Sequence, residues 1–143
     1  MHRLLLTVRI RLYYVNNKVI VIPTDDLYHL AILNSRITWW IINRTFQHMK
    51  DGGISVDVQF LKRLPIPNVS PGLRSDISRV ADSLIAAASS TSPDEANAIL
   101  ETQLNDLVER AFALTNSERD IMLSSLPLRD PLDATQRRIS AIA

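Results

Sequence analysis

Apolar and polar positions alternate from residue 4 to residue 15. Leu6, Val8, Ile10, Leu12 and Tyr14 fall on one face, and Thr7, Arg9, Arg11 and Tyr13 on the other. A period of two, carried by β-branched and aromatic residues, predicts a half-buried strand. Asn16-Asn17 suits a tight hairpin turn, because both residues tolerate positive φ. Residues 18–23, "KVIVIP", then form the partner strand, which Pro23 ends. A lone hairpin is marginal in water, so this one requires a helix or further strands against it.

The period then changes. Thr24, Asp25 and Asp26 are suited to the positive end of a helix dipole, and a helix is predicted from there to about Phe46. Leu27, Leu30, Ala31, Ile37 and Ile41 form one stripe, and Ile32, Trp39, Ile42 and Phe46 a second. A helix apolar on two sides is expected to lie buried between neighbours. "QHMKDGG" ends it as a loop that leads into "GGISVDVQFLKRLPIP", residues 52–67. Past Pro71-Gly72, the positions Leu73, Ile77, Val80, Ala81, Leu84, Ile85 and Ala88 make a clean amphipathic helix. Ser92-Pro93-Asp94-Glu95 reads as a capping box with proline at the first helical position. The helix it opens carries Ile99, Leu100, Leu104, Leu107, Val108, Ala111 and Phe112. Thr115-Asn116-Ser117-Glu118 is a second capping box, with Leu114 placed as its staple. That short helix stops at Pro127, and Asp130-Pro131-Leu132-Asp133 is a marginal start for a last one.

The expected fold is therefore α+β and mostly helical: a short N-terminal β-hairpin packed on a long buried helix, followed by a C-terminal helical bundle. Two units are expected, residues 1–67 (hairpin, helix, glycine loop and Leu-Pro-Ile-Pro joint) and residues 68–143 (helical support).

Composition narrows the chemistry. With 143 residues, 46% hydrophobic and 22% charged, the chain has the make-up of a globular domain. It has no cysteine, which excludes disulfides and thiolate metal sites. No apolar run approaches the ~20 residues that cross a bilayer, so no membrane partner and a cytoplasmic location are expected. The net charge of +1 conceals an asymmetry: residues 1–66 hold nine Lys or Arg against four Asp or Glu, and residues 67–143 hold seven against eleven. A basic front and an acidic back fit a polyanion facing one half.

Three glycines, Gly52, Gly53 and Gly72, cannot build a dinucleotide fingerprint or a phosphate-cradling loop. No serine stands between glycines as in a nucleophile elbow. None of Lys18, Lys50 and Lys62 has the acidic or Gln residue two positions earlier that a carboxylate–lysine nuclease requires. The chain is expected to do no chemistry alone. Asp25 and His29 lie one turn apart without a third metal ligand, so no metal is expected, and His48 and His2 lack metal spacing too. Trp39-Trp40 could stack on bases, but adjacent helical residues diverge by about 100°, which favours one in the core and one at a helix–helix edge. What remains is a set of donors for DNA: Arg36 and Arg44 on the long helix, Lys50 in its loop, Lys62 and Arg63 before "LPIP", and Arg9 and Arg11 on the first strand. Arginine binds guanine edges bidentately and lysine serves phosphate.

Three segments in order carry a family resemblance: "LAILNSRITWWIINRTFQ", "GGISVDVQFLKRLPIPNVS" and "LNDLVERAFALTNSERDIM". Together they resemble the TaqI-like C-terminal specificity domain of type IIG restriction–modification enzymes over about residues 27–123. The matching features are Leu33-Asn34-Ser35, the glycine loop, Leu64-Pro65-Ile66-Pro67, and the turn of Leu114, Thr115 and Glu118. The resemblance implies target recognition on double-stranded DNA for an adjoining adenine-N6 methyltransferase, which uses S-adenosylmethionine and flips its target base. On that reading Arg36, Arg44, Lys50, Lys62 and Arg63 contact DNA, with the backbone of Gly52 and Gly53 near phosphate. No methyltransferase motif is present, so the chain is expected to be a C-terminal fragment whose partner is an upstream methyltransferase domain or subunit. Two other readings stay open. One is half of a type I specificity subunit, which has a similar junction and a long helical spacer. The other is a helical module that binds a protein and not DNA.

Overall fold

The computed structural model describes residues 20–50, 53–88 and 94–126. The N-terminal hairpin expected over residues 4–23 lies outside these except for residues 20–23, which have no regular secondary structure. Ser92-Pro93 and the start at Asp130 also lie outside them.

The described residues are mostly helical, with a two-stranded antiparallel hairpin. The long helix expected from Thr24 to Phe46 is two helices, α1 (Leu27–Asn34) and α2 (Arg36–Thr45), broken at Ser35. The cause is local. Asn34 and Ser35 both carry side chains that compete with the helical ladder. The Asn34 amide donates to the Leu30 carbonyl (2.9 Å), and the Ser35 hydroxyl donates to that of Ile32 (2.7 Å). Ser35 adopts an extended backbone (φ −72°, ψ 157°) and caps α2, its hydroxyl accepting from the Thr38 amide. Thr38 in turn donates its hydroxyl to the Ile32 carbonyl at 2.7 Å. Both apolar stripes cross this break, with Leu30, Ala31 and Ile32 buried on α1 and Ile37 and Ile42 on α2. Asp26 starts α1 by accepting from the Tyr28 amide at 2.9 Å.

Beyond α2, β1 (Gln47–His48) and β2 (Ile54–Ser55) pair antiparallel, Gln47 opposite Ser55 and His48 opposite Ile54. The Met49 amide donates to the Gly53 carbonyl and closes the turn at 2.8 Å. A one-turn helix, α3 (Val58–Leu61), is capped by Asp57, which accepts from the Gln59 amide at 2.7 Å. Three longer stretches follow: α4 (Pro71–Ala88), α5 (Asp94–Ala111) and α6 (Asn116–Ser124). The capping box read from Thr115 and Glu118 is formed, with each side chain bonding the other's backbone. α5 ends where Ala113 takes a left-handed backbone, φ 53°. There the amides of Ala113 and Leu114 reach back to the carbonyls of Arg110 and Glu109.

One core joins these helices. Tyr28, Ala31 and Ile32 of α1 and Ile37 of α2 meet Ile77, Val80 and Ala81 of α4, Leu104 and Val108 of α5, and Met122 of α6. Residues on both sides of Pro67 thus share a single cluster. The Leu-Pro-Ile-Pro segment is held to it by the Tyr28 hydroxyl, which donates to the Pro67 carbonyl at 2.7 Å. Among the described residues no helix is long and apolar enough to cross a membrane.

Candidate nucleic-acid interface

Lysines and arginines of the described residues divide into two groups. Arg36, Arg74, Arg79 and Arg119 are each paired with a carboxylate. Arg44, Lys50, Lys62, Arg63 and Arg110 have no ion pair with a described residue, and all but Arg110 fall between residues 44 and 63.

Those four cations are exposed and are held on a common frame. Arg44 lies in the last turn of α2, where its charge complements the negative helix end. Its guanidinium carbon sits 4.5 Å from the centre of the Trp40 ring, a cation–π contact that restrains the side chain without neutralising it. Lys50 stands in the turn between β1 and β2. Lys62 and Arg63 directly follow α3. Phe46, buried at the end of α2, and Phe60 of α3 have ring centroids 5.5 Å apart, so the base of the hairpin and the α3 segment are packed together. His48 bonds through Nε2 to the Asn43 carbonyl at 2.7 Å, which fixes the hairpin to the end of α2. Gly52 lies outside the described residues, and the role of Gly53 on view is to accept the turn-closing bond from Met49.

Lys62 also borders an open cleft of about 300 Å³ with His29, Leu33, Leu61, Leu64 and Ile66. His29 is engaged there by Asp26, Nδ1 to Oδ2 at 2.9 Å, and Asp26 is further paired with Arg74. The Arg74 guanidinium in turn lies over the Tyr28 ring, 4.5 Å from its centre. Burial pushes the Tyr28 phenol up from its ordinary value, with Arg74 opposing and Asp26 adding to the rise. Among the described residues no three His, Asp or Glu groups come together to hold a metal.

Arg36 is placed differently from the other cations. Its Nε binds Glu109, a terminal nitrogen lies 3.4 Å from Asp106, and its backbone amide donates to the Asn105 side chain at 2.8 Å. Arg119 of α6 approaches the same carboxylates, 2.5 Å from Glu109 and 2.9 Å from Asp106. Glu109 is 4% exposed. Burial raises its carboxyl, but the hydrogen bonds and charges of Arg36 and Arg119 outweigh that and hold it below the ordinary glutamate value. The network ties the start of α2 to α5 and α6. Trp40 adds a second tie, its indole N–H donating to the Ser125 hydroxyl at 3.0 Å. Trp39 and Trp40 are both half-buried, so neither takes the core position expected for one of the pair, and Trp40 packs against the core at a helix–helix edge.

The network was not read from the sequence. Its partners lie 69 to 73 positions from Arg36, so no local spacing marks them. The available signal is Glu109 itself, a carboxylate directly beside the core residue Val108 and in need of a cationic partner. The chain matches no protein-family model, no curated protein and no solved structure.

Proposed function

We propose that this chain is a DNA-recognition module of a type IIG-like restriction–modification enzyme, reading target DNA for an adenine-N6 methyltransferase domain that binds S-adenosylmethionine. The observation that carries the reading is the segregation of charge. Four exposed cations without ion pairs to described residues, Arg44, Lys50, Lys62 and Arg63, gather on the hairpin–α3 frame, while Arg36, Arg74, Arg79 and Arg119 are consumed by internal pairs. Exposed cations without an ion pair to a described residue suit phosphate and guanine. The family resemblance supplies the identity of the partner. Arg36 enters this reading as a support for α2, and the DNA contacts fall to the other four. The separate, self-capped α6 supports the type IIG form over half of a type I specificity subunit, where a single long spacer helix is expected.

The test is a titration of the chain against labelled random-sequence duplex DNA by fluorescence anisotropy at several salt concentrations. Neutralising four phosphates gives a slope of log K against log salt of about −3 to −4. Sequencing the retained duplexes identifies the preferred site. Absence of salt-dependent binding even at low salt overturns the reading and leaves a protein-docking role for the helices.

A further inference from the structure

Exposed apolar side chains accompany the four cations that have no ion pair with a described residue. Met49 is 44% exposed beside Lys50, Val58 is 43% exposed at the start of α3, and Phe60 and Ile66 are exposed on either side of Lys62-Arg63. Single exposed apolar residues are ordinary, but these four fall within the same 18 positions that hold Lys50, Lys62 and Arg63. Among the described residues leading into α3 the carboxylate is Asp57, and it is occupied in capping that helix. Phe60 and Ile66 have local work, against Phe46 and along the cleft wall. Among the described residues, Met49 and Val58 are in neither of these contacts.

We infer that Met49 and Val58 are specificity-determining residues that read the C5-methyl groups of thymine in the DNA that these cations bind. The inference rests on the proposed DNA-recognition function. Duplex DNA offers an anionic backbone together with one apolar group in the major groove, the thymine methyl, and apolar side chains are the groups that contact it. Arg44, Lys50, Lys62 and Arg63 meet the first requirement, and the two exposed apolar side chains meet the second. Preferred sites should therefore contain thymine at positions facing the hairpin turn and α3. Each methyl withdrawn from water contributes about fourfold in affinity.

The experiment compares the duplex enriched by the full chain with the same duplex carrying uracil for every thymine, which removes only the methyl groups. The wild-type chain should bind the uracil duplex about fourfold more weakly or worse. Val58→Ser and Met49→Ser should bind the thymine duplex more weakly and lose part of the thymine preference, with unchanged melting temperatures as expected for exposed positions. Equal wild-type affinity for both duplexes overturns the methyl reading and leaves DNA recognition standing. Serine variants that keep the full thymine preference overturn the assignment to these residues. If no duplex is bound at low salt, the function itself fails. Binding of vesicles of anionic phospholipid in place of DNA would assign these cations and apolar side chains to a membrane.

Discussion

The Tyr28 phenol donates to the Pro67 carbonyl at 2.7 Å, joining a fully buried residue in the first turn of α1 to the last residue of the Leu-Pro-Ile-Pro segment. The contact explains how an extended, proline-stiffened stretch keeps a fixed position beside a helix that precedes it by about forty residues. Two prolines limit the backbone freedom of the segment, and one buried hydroxyl sets where it sits.

Tyr28→Phe keeps the ring against the core and removes only the donor. Because Pro67 is half-buried, water can replace part of the lost bond, and the expected cost is about 1 kcal/mol. Urea unfolding that shows a lower midpoint with an unchanged slope is the expected result. The same phenol has a pH consequence. Its folded pKa is raised, so its contribution is fully present below the unfolded tyrosine value of about 10 and is lost as pH rises through the folded value. Tyr28→Phe should lessen the alkaline loss of stability.

Glu109 is the pivot of the Arg36–Arg119 network, and its removal leaves the two arginines, among the described residues, with the exposed Asp106 as their carboxylate. Glu109→Ala should cost about 3 kcal/mol, the low end for breaking a buried pair, because Arg119 keeps 40% exposure. The pH sign is opposite to that of Tyr28. A lowered folded pKa gives stability that is complete above the unfolded glutamate value of about 4.3 and is lost as pH falls through the folded value. Thermal melts from pH 7 down to pH 3 should show the wild type losing more stability than Glu109→Gln.

Helix positions were legible in the sequence because the signals are local. The α4 stripe starting after Pro71 and the Thr115–Glu118 capping box need only neighbouring residues to be read, and both are formed. The break at Ser35 was not seen, although Asn34 and Ser35 are both residues that compete with a helical backbone. The apolar run continues on both sides of these two residues, so the pattern alone reads as one helix. The sequence predicts a loop where the hairpin at Gln47–Ser55 forms, since two-residue strands leave no periodic pattern. For the candidate site, exposure of Arg44, Lys50, Lys62 and Arg63 followed from charge in a polar stretch. The diversion of Arg36 did not, because its partners lie on α5, more than 65 positions away.

Ala113 ends α5 in the left-handed region, at φ 53°, in the position where helices usually place glycine. A β-carbon there costs about 1 kcal/mol. Ala113→Gly should raise stability by roughly that amount, less the entropy that glycine adds to the unfolded chain. A higher urea midpoint is the expected reading. A fall would mean that the Ala113 methyl makes a compensating contact at the α5–α6 corner.

Charge removal should separate the two classes of cation. Lys62→Ala and Arg63→Ala act on exposed side chains without ion pairs to described residues, so melting temperatures should hold within a degree or two. DNA affinity should fall, and the salt slope should shrink by about one per residue removed. Arg36→Ala should do the reverse. It strips Glu109 of one of its two arginines and leaves a buried carboxylate half-compensated, so the cost appears as lost stability. At temperatures where this variant is still folded, its salt slope should match that of the wild type, since the lost charge was already neutralised within the protein. A reduced slope for Arg36→Ala would mean that DNA draws Arg36 away from Glu109, and the network would then be a competitor for the phosphate and not a brace for α2.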